Sequence, residues 1–360
     1  MSNIVFILGA GASQQCGAPL MNDFLDKAYR LWKTDEYPEK NEHFKKVFDS
    51  IGALYAVHSK SELDLINIES VFNTLEIAEV LGKLPGHKKQ DIPGVIDSLK
   101  ELIAATLEKT IKFPVLRNNI RPAEPYGAFA KLLRYLISDA HPAQTVSIIT
   151  FNYDIALDLA LYIERLGVDY CFNKSSTSHR LIPVLKLHGS LNWASTEKSR
   201  EVTPLELGKY FQNYSLGLGH DLKTCTIPIS SQLQEAFNKQ GAQVESKPVI
   251  IPPTWSKLDY GKTLSKVWSR AAQELEEAEC IFIIGYSLPD TDEFFRSIYA
   301  LGTAGKTPIM KLVVYNPDLS GVVRERFFRM LGPGARDRFR YKEIPFNRAI
   351  PDIQSMFPKK

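Results

Sequence analysis

The feature that most restricts how this chain can fold is a series of short apolar runs, rich in β-branched residues, with helical patterns between them. The runs are Asn3–Leu8 (NIVFIL), Val146–Thr150, Val184–Leu187, Val249–Ile251, Ile281–Ile284 and Lys311–Tyr315. Such runs suit strands buried on both faces of a parallel sheet. Ile155–Leu166 and Leu264–Glu277 carry apolar residues at helical spacing between the runs. Strands alternating with helices predict an α/β protein built on an open, doubly wound, Rossmann-like parallel sheet.

The interval between the first two runs is unusually long. No strand is expected from about Asp35 to Pro142, where the pattern is helical. Ile68, Val71, Phe72, Leu75 and Ala78 recur at the spacing of one apolar helix face. Gly82–Gly94, with Pro85, Gly86 and Pro93, separates this helix from a second over Ile96–Lys112, and a third is expected over Tyr126–Ser138. The expected organisation is therefore a sheet domain over 1–34 and 143–360, interrupted by an α-helical insertion domain over 35–142. A polar, irregular stretch, roughly Ala194–Lys247, reads as a cap or loop-rich excursion.

Composition narrows the function classes. Hydrophobic residues at 44% and charged residues at 24% of 360 are the balance of an ordinary soluble globular protein. A net charge of +3 gives no global argument for a nucleic-acid partner. Locally, Arg324, Arg326, Arg329, Arg336, Arg338, Arg340 and Lys342 crowd one stretch and weakly suggest phosphate contact; a solvated basic face is the plainer account. Cys16, Cys171, Cys225 and Cys280 are scattered, without the paired C-x-x-C spacing that a zinc ribbon needs, so no metal site is expected. Scattered thiols fit a reducing cytosol. Ile4–Leu8 with Ala10-Gly11-Ala12 imitates a short secretory core, yet lacks the basic start. No stretch approaches the length of a membrane span, so a cytoplasmic protein without membrane contact is expected.

Chemistry is expected at the carboxyl ends of the strands, where open α/β sheets gather ligands. Gly9-Ala10-Gly11-Ala12-Ser13 follows the first run, and glycines there let a backbone approach a pyrophosphate. Gln14 stands where the dehydrogenase fingerprint has its third glycine, so this would be a phosphate loop of another type, or a plain turn. In Thr150-Phe151-Asn152-Tyr153-Asp154, Asn152 could orient a water or a ribose hydroxyl and Asp154 could accept from an amide; both could equally cap the next helix. Leu187-His188-Gly189-Ser190-Leu191-Asn192-Trp193 offers a histidine able to move a proton near neutral pH, a glycine that could leave room for a sugar, and an indole that could wall a pocket. Gly285-Tyr286-Ser287 and the strand end at Asn316 complete the set, each a turn if taken singly.

Taken in order, GAG-x-S, T-x-N-x-D, L-H-G, G-x-S and a strand ending in Asn resemble the sirtuin superfamily. Gly17 and Pro19 match its G-x-P, and the likeness covers residues 1–34 and roughly 143–320. Ile250-Ile251-Pro252-Pro253-Thr254-Trp255 and the TFNYD and GYSLPD spellings resemble the bacterial sirtuin-like branch, which includes NAD-hydrolysing antiphage effectors. The resemblance implies a Rossmann domain of sirtuin type that uses NAD+ as substrate. Gly9, Ala10, Gly11, Ala12 and Ser13 would hold the pyrophosphate, with Pro19 beside them. Gly285 and Ser287 would meet phosphate and ribose, Asn316 the adenosine ribose, and Asp154 the nicotinamide carboxamide. Asn152 would hold the catalytic ribose or the attacking water, and His188 would act as general base.

The chain departs from protein deacetylases in three places. Phe151 stands where they carry glutamine, Leu20-Met21-Asn22 where they carry Asp-Phe-Arg, and their four-cysteine zinc ribbon is missing. Water thus becomes the expected acceptor, giving an NAD+ glycohydrolase that releases nicotinamide and ADP-ribose or a cyclic form. A protein deacylase or ADP-ribosyltransferase, and a non-catalytic NAD or ADP-ribose sensor, are the competing readings. Because unchecked NAD cleavage would harm its host, a homo-oligomer or a regulatory partner in trans is expected, with the helical insert as lid or assembly surface.

Overall fold

A computed structural model describes residues 2–56, 62–138, 144–172, 181–196, 201–217, 224–229, 233, 244–251, 261–290 and 292–358. Strand β1 (Ser2–Leu8) runs into a single helical turn, α1 (Ala10–Ser13), that continues as a 3-10 turn over Gln14–Cys16. Gly17, at φ 100°, ends it. A Cβ there would lie 2.2 Å from the Thr110 carbonyl oxygen, so only glycine fits this stop. Four helices follow: α2 (Phe24–Lys33), α3 (Asn41–Ala56), α4 (Ile68–Leu81) and α5 (Ile92–Thr110). In α4 the five residues of the expected stripe are the buried ones, Asn67 caps its start through the Glu69 N–H, and left-handed Gly82 ends it.

The expectation of no strand before residue 142 fails. β2 (Lys112–Leu116) and β3 (Asn119–Ile120) pair antiparallel, and β2 also pairs with β9 (Thr224–Pro228). Their burial alternates in β2, the period-2 pattern of a half-covered strand, which a helix-spaced reading of the preceding residues obscures. Next come α6 (Tyr126–Leu136), β4 (Gln144–Thr150), α7 (Ala156–Ile163), β5 (Gly167–Asp169) and β6 (Leu181–Lys186). β7 (Gly189–Thr196) pairs antiparallel with β8 (Val202–Pro204) and with β10 (Val244–Ile250). The Val249–Ile251 run is therefore not a strand of the parallel sheet: it lies on β7 in a separate three-stranded sheet. An apolar run reports burial, not which sheet buries it. The stretch read as a loop-rich cap supplies β8, α8 (Leu207–Gly217), β9 and β10, and its residues 197–200, 218–223, 230–232 and 234–243 lie outside the described residues. So do 252–255 of the apolar-proline motif and the chain end at 359–360.

β11 (Cys280–Ile284), β12 (Lys311–Tyr315) and β13 (Phe339–Lys342) complete a seven-stranded sheet of order β13-β12-β11-β1-β4-β6-β5, parallel at every pairing. This is the doubly wound α/β architecture that the alternating runs predict. Two strands, β5 and β13, are additions at the edges, where runs are short and half-polar. Side-chain alternation sorts the sheet into two buried faces. Ile4, Phe6, Leu8, Ile148, Phe282 and Val313 share one core with α2 to α7 and the helix Phe346–Ser355. Val5, Ile7, Ile149, Leu185, Ile283 and Val314 face helices Gly261–Glu277, Glu293–Gly302 and Val322–Met330. Phe129 of α6 packs edge-on against Phe6 at 5.0 Å, which seats α6 on the sheet itself. Among the described residues no helix is long and apolar enough to cross a membrane.

Candidate active site at the sheet switch point

From β1 the chain moves to β4 on one side, and later returns from β6 to β11 on the other side of β1. The crevice this leaves at the carboxyl ends opens into a cavity of ≈450 Å³. Its lining comes from the loops after β1 (Ala10, Gly11, Ser13), β4 (Phe151 to Asp154), β6 (His188), β11 (Gly285 to Ser287) and β12 (Asn316 to Asp318). Pro19 contributes from beyond α1, and Asn67, Ile68, Glu69 and Phe72 from α4 close one wall.

Asn152 is held by its amide nitrogen. Nδ2 donates to the Gly9 carbonyl at 3.0 Å, to Ser13 Oγ at 3.0 Å and to Tyr126 OH at 3.3 Å. A carbonyl can only accept, so Gly9 fixes the amide orientation and leaves the Asn152 amide oxygen as the atom to offer a ligand. Its backbone N–H is tied to Thr150 Oγ1 at 3.1 Å. Ser13 donates in turn to Asp154 Oδ2 at 2.6 Å and lies 2.8 Å from Tyr126 OH. Burial, which outweighs the Ser13 hydrogen bond and the Lys186 charge, pushes the Asp154 carboxyl up. Its other oxygen accepts from the N–H of Ala156, the first residue of α7, at 2.8 Å, which steadies the helix start from one residue before the cap while Asp154 still lines the cavity. Burial raises the Tyr126 phenol well above its ordinary value, so it remains a neutral hydrogen-bonding group.

His188 is 3% exposed and stands edge-on to Phe151, with ring centres 5.3 Å apart. Phe151 stacks in turn on Tyr286 at 4.2 Å. Tyr153 donates to the Ile251 carbonyl at 2.9 Å, pinning the loop after β4 to β10. At the far end, Asn316 donates to the Tyr286 carbonyl at 3.2 Å and accepts from the Asp318 N–H at 3.0 Å.

Behind this wall sits a second polar cluster that does not line the cavity. Lys186, 1% exposed, places its three ammonium protons on the Asp154 carbonyl (2.7 Å), Asp158 Oδ2 (2.8 Å) and Ser190 Oγ (2.8 Å). Ser190 donates to Asn192 Oδ1 at 2.6 Å, Asn192 to Tyr170 OH at 3.0 Å, and Tyr170 to the remaining Asp158 oxygen. The chain of bonds ties the loop after β4 to the start of β7.

Several sequence expectations need correction here. Gly189 leaves no room for a sugar: a Cβ on it would lie 2.1 Å from the Val249 carbonyl oxygen, at φ +90°, so its bareness admits β10. Trp193 is fully buried against Phe172 and Tyr170 and walls no pocket. Gly9 and Ala12 lie behind the lining. A Cβ on Gly9 would meet Tyr286 Cα at 2.5 Å, and Ala12 is wholly buried. Gly285, at φ +63°, lines the cavity but is bare chiefly because the Ala12 backbone N lies 2.3 Å from where its Cβ would be. Ser287 is exposed at the rim. α1 is a single turn, and of its first N–H groups that of Gly11 is given to the Gly285 carbonyl at 2.8 Å and that of Ala12 to the Gly9 carbonyl at 2.9 Å.

Sequence reading missed Glu69 and Tyr126, and named Arg326 only as part of the basic stretch. Glu69 and Arg326 line the cavity, from α4 and from helix Val322–Met330. Nothing in the local pattern of Glu69 marks it, since it reads as the polar face of an ordinary helix, and the basic stretch gives no sign that Arg326 alone reaches the cavity. In the basic stretch, Arg326 pairs with Asp290 (3.2 Å), Arg329 with Glu325 (2.9 Å) and Lys342 with Asp352 (2.6 Å). Arg336 and Arg340 donate to backbone carbonyls. All four cysteines are free, and burial pushes the Cys171 thiol up to about 12 and Cys16 higher still. Among the described residues no group of three or more His, Cys, Asp or Glu side chains could hold a metal ion.

The fold and cavity together define a doubly wound α/β protein with a ligand-sized crevice at its switch point. No protein-family model matches the chain, and no curated protein matches it. Among solved structures it is similar to Sir2 homologues. One, a mutant in complex with ADP-ribose, shares 15% identity over 98% of this chain and 90% of that one, at a TM-score of 0.44. A Sir2 homologue–NAD complex gives 14% identity, 98% and 88% coverage and a TM-score of 0.40. Sir2Tm bound to a propionylated peptide gives 13%, 98% and 92%, and 0.37. A fit this loose fixes no residue of one chain onto a residue of another.

Proposed function

We propose that this chain is a sirtuin-like NAD+ glycohydrolase, cleaving the nicotinamide–ribose bond to give nicotinamide and ADP-ribose or its cyclic form. The observation that carries the reading is that Asn152 and His188, 36 residues apart, line one cavity together with Ala10, Gly11 and Ser13. A volume of ≈450 Å³ falls within the roughly 300–1,000 Å³ of small-molecule sites.

NAD+ carries a pyridinium that departs as neutral nicotinamide, taking the bonding electron pair and leaving a cation at ribose C1′. The chain must position water, shield that cation and exclude bulk solvent. In this reading Ala10, Gly11 and Ser13 meet the pyrophosphate with Pro19 alongside, and Gly9 and Ala12 support them from behind. Gly285, Ser287 and Asn316 take the phosphate and adenosine ribose, and Asp154 takes the carboxamide. Asn152 presents its amide oxygen to the catalytic ribose or to water, and His188 acts as base toward the ribose hydroxyls, a contribution of roughly 10²–10⁴-fold. Phe151 occupies the place where deacetylases carry glutamine, which favours water as acceptor.

The resemblance to antiphage effectors extends the proposal to a cytoplasmic enzyme that depletes NAD when triggered. α4 forms a cavity wall, so a shift of the helical insert, by homo-oligomer assembly or on meeting a regulatory partner, would change access. Chromatography of NAD incubated with purified protein, across protein concentration, tests this. Nicotinamide and an ADP-ribose product, with a rate per chain that rises on assembly, are expected. Intact NAD under every condition overturns the enzymatic reading, and a constant rate overturns the restraint.

A further inference from the structure

Hydrolysis of NAD+ releases one proton per turnover, because the attacking water must lose one as its oxygen bonds to C1′. His188, as placed above, serves the ribose, and the water's proton needs its own acceptor. We propose that Glu69 of α4 is a catalytic residue of this cavity, an ionised carboxylate that faces the nicotinamide–ribose cation and takes the proton of the attacking water. The proposal rests on the NAD-cleavage reading.

Geometry carries it. Glu69 lines the cavity together with Asn152, Tyr153, His188 and Asp292. Its Oε2 is fully buried and finds no hydrogen-bond partner among the described residues. A buried carboxylate oxygen without a donor is costly, and on a cavity wall an entering group can supply that donor. Its position is fixed on two sides. The Asn67 side chain accepts from the Glu69 N–H at 2.8 Å, and the Ile68 N–H reaches the Met21 carbonyl at 3.2 Å, which anchors the start of α4 to the loop beyond Pro19. The charge of Glu69 is felt by the phenols of Tyr153 and Tyr286, the latter stacked on Phe151 beside His188, so it sits among the groups of the reaction centre.

The surrounding charges suit the task. Asp292, which accepts from Tyr286 OH and the Phe295 N–H, adds a second carboxylate near the same wall, while Arg296 pairs with Asp290 and Glu293. Burial first, and Asp292 second, push the Glu69 carboxyl up to about 7, where a base can accept a proton at neutral pH and release it afterwards. A cation entering the cavity would favour its ionised form. In the full step the C1′–N bond breaks with its electron pair going to nicotinamide. Water oxygen then bonds to C1′, and its proton passes to Glu69 and on to solvent.

Glu69→Gln keeps the shape and removes both the charge and the basicity. Binding of NAD+ and of NADH, which lacks the pyridinium charge, is measured by calorimetry, alongside the steady-state rate and its pH profile. Expected are a fall in kcat of about 10²–10³-fold, loss of the rate limb near pH 7, and a preference for NAD+ over NADH reduced about tenfold. The melting temperature should hold or rise. A Glu69→Gln protein with kcat within threefold of the parent and an unchanged NAD+/NADH preference overturns the proposal while leaving the NAD reading intact. Absence of binding and cleavage of either nucleotide by the unmodified protein overturns both. Glu108→Gln is the control: that carboxylate is also buried but is bonded to Tyr37 at 2.9 Å away from the cavity, and its loss should leave kcat unchanged.

Discussion

Two polar regions lie side by side at the carboxyl ends of β4 and β6, and they differ in one respect. The Lys186 cluster is closed: each ammonium proton, both Asp158 oxygens, Ser190 and Asn192 are used on one another. The cavity wall two residues away, at His188, is built to leave capacity over, with the Asn152 amide nitrogen committed and Glu69 Oε2 unbonded among the described residues. β6 ends at Lys186 and the chain turns at Leu187-His188 before β7 begins at Gly189, so one strand end serves both regions. A satisfied buried network specifies the position of loops, whereas unfilled capacity on a cavity wall is what a ligand completes.

The largest effect should come from breaking the closed cluster. Lys186→Met leaves Asp158 buried without its charge partner, and the expected loss of stability is about 3–5 kcal/mol, read by denaturant unfolding. Equal loss from Asn152→Ala would erase the distinction between the regions. On the open wall, Asn152→Ala and His188→Ala should each lower NAD turnover by roughly 10²–10⁴-fold, and loss of the Asn152 hydrogen bonds to Gly9, Ser13 and Tyr126 should cost about 1–3 kcal/mol of stability, less than Lys186→Met. Full activity in either variant removes that residue from the chemistry.

Glycines sharpen the same contrast. Gly189→Ala places a methyl against the Val249 carbonyl at a left-handed backbone position. A destabilisation of about 1–3 kcal/mol is expected, with KM for NAD unchanged at a permissive temperature. A raised KM without lost stability would restore Gly189 to the ligand.

A smaller, pH-dependent effect separates Glu69 from Glu108. Both carboxyls are held up to about 7, chiefly by burial. The folded state therefore holds these protons more tightly than the unfolded chain does. The cost of ionisation is absent below the ordinary value near 4.5 and accumulates as pH rises to about 7. Glu69→Gln and Glu108→Gln should each melt a few degrees above the parent at pH 8, on the order of 5 °C or less, and converge with it towards pH 4. Saturating NAD+ should close the gap for Glu69 alone. Identical behaviour of the two with ligand present would place Glu69 among the structural carboxylates.

Much of this was legible in the sequence. Strand ends at Leu8, Thr150, Ile284 and Tyr315 were readable because double-sided burial demands unbroken apolar runs, and the α4 stripe because a helix face has its own period. Asn152, Asp154, His188 and Asn316 follow from where those strands stop. Other parts were hidden for physical reasons. The Val249 run looks the same whether a parallel or an antiparallel neighbour covers it. A bare glycine looks the same whether it admits a sugar, as expected of Gly189, or a neighbouring carbonyl, as found. Glu69 reaches the cavity only through the packing of α4, 83 residues before Asn152 in the chain, and no local pattern encodes that meeting.

The most direct test of the central claim is the initial rate of nicotinamide release from NAD+ by the unmodified protein and by Asn152→Ala, measured at a temperature where melting curves show both fully folded. The account predicts steady release by the parent at its most active assembly state, and a rate at least 10²-fold lower in the variant despite equal folding. Equal rates in the two, or no nicotinamide from the parent in any assembly state, would contradict it.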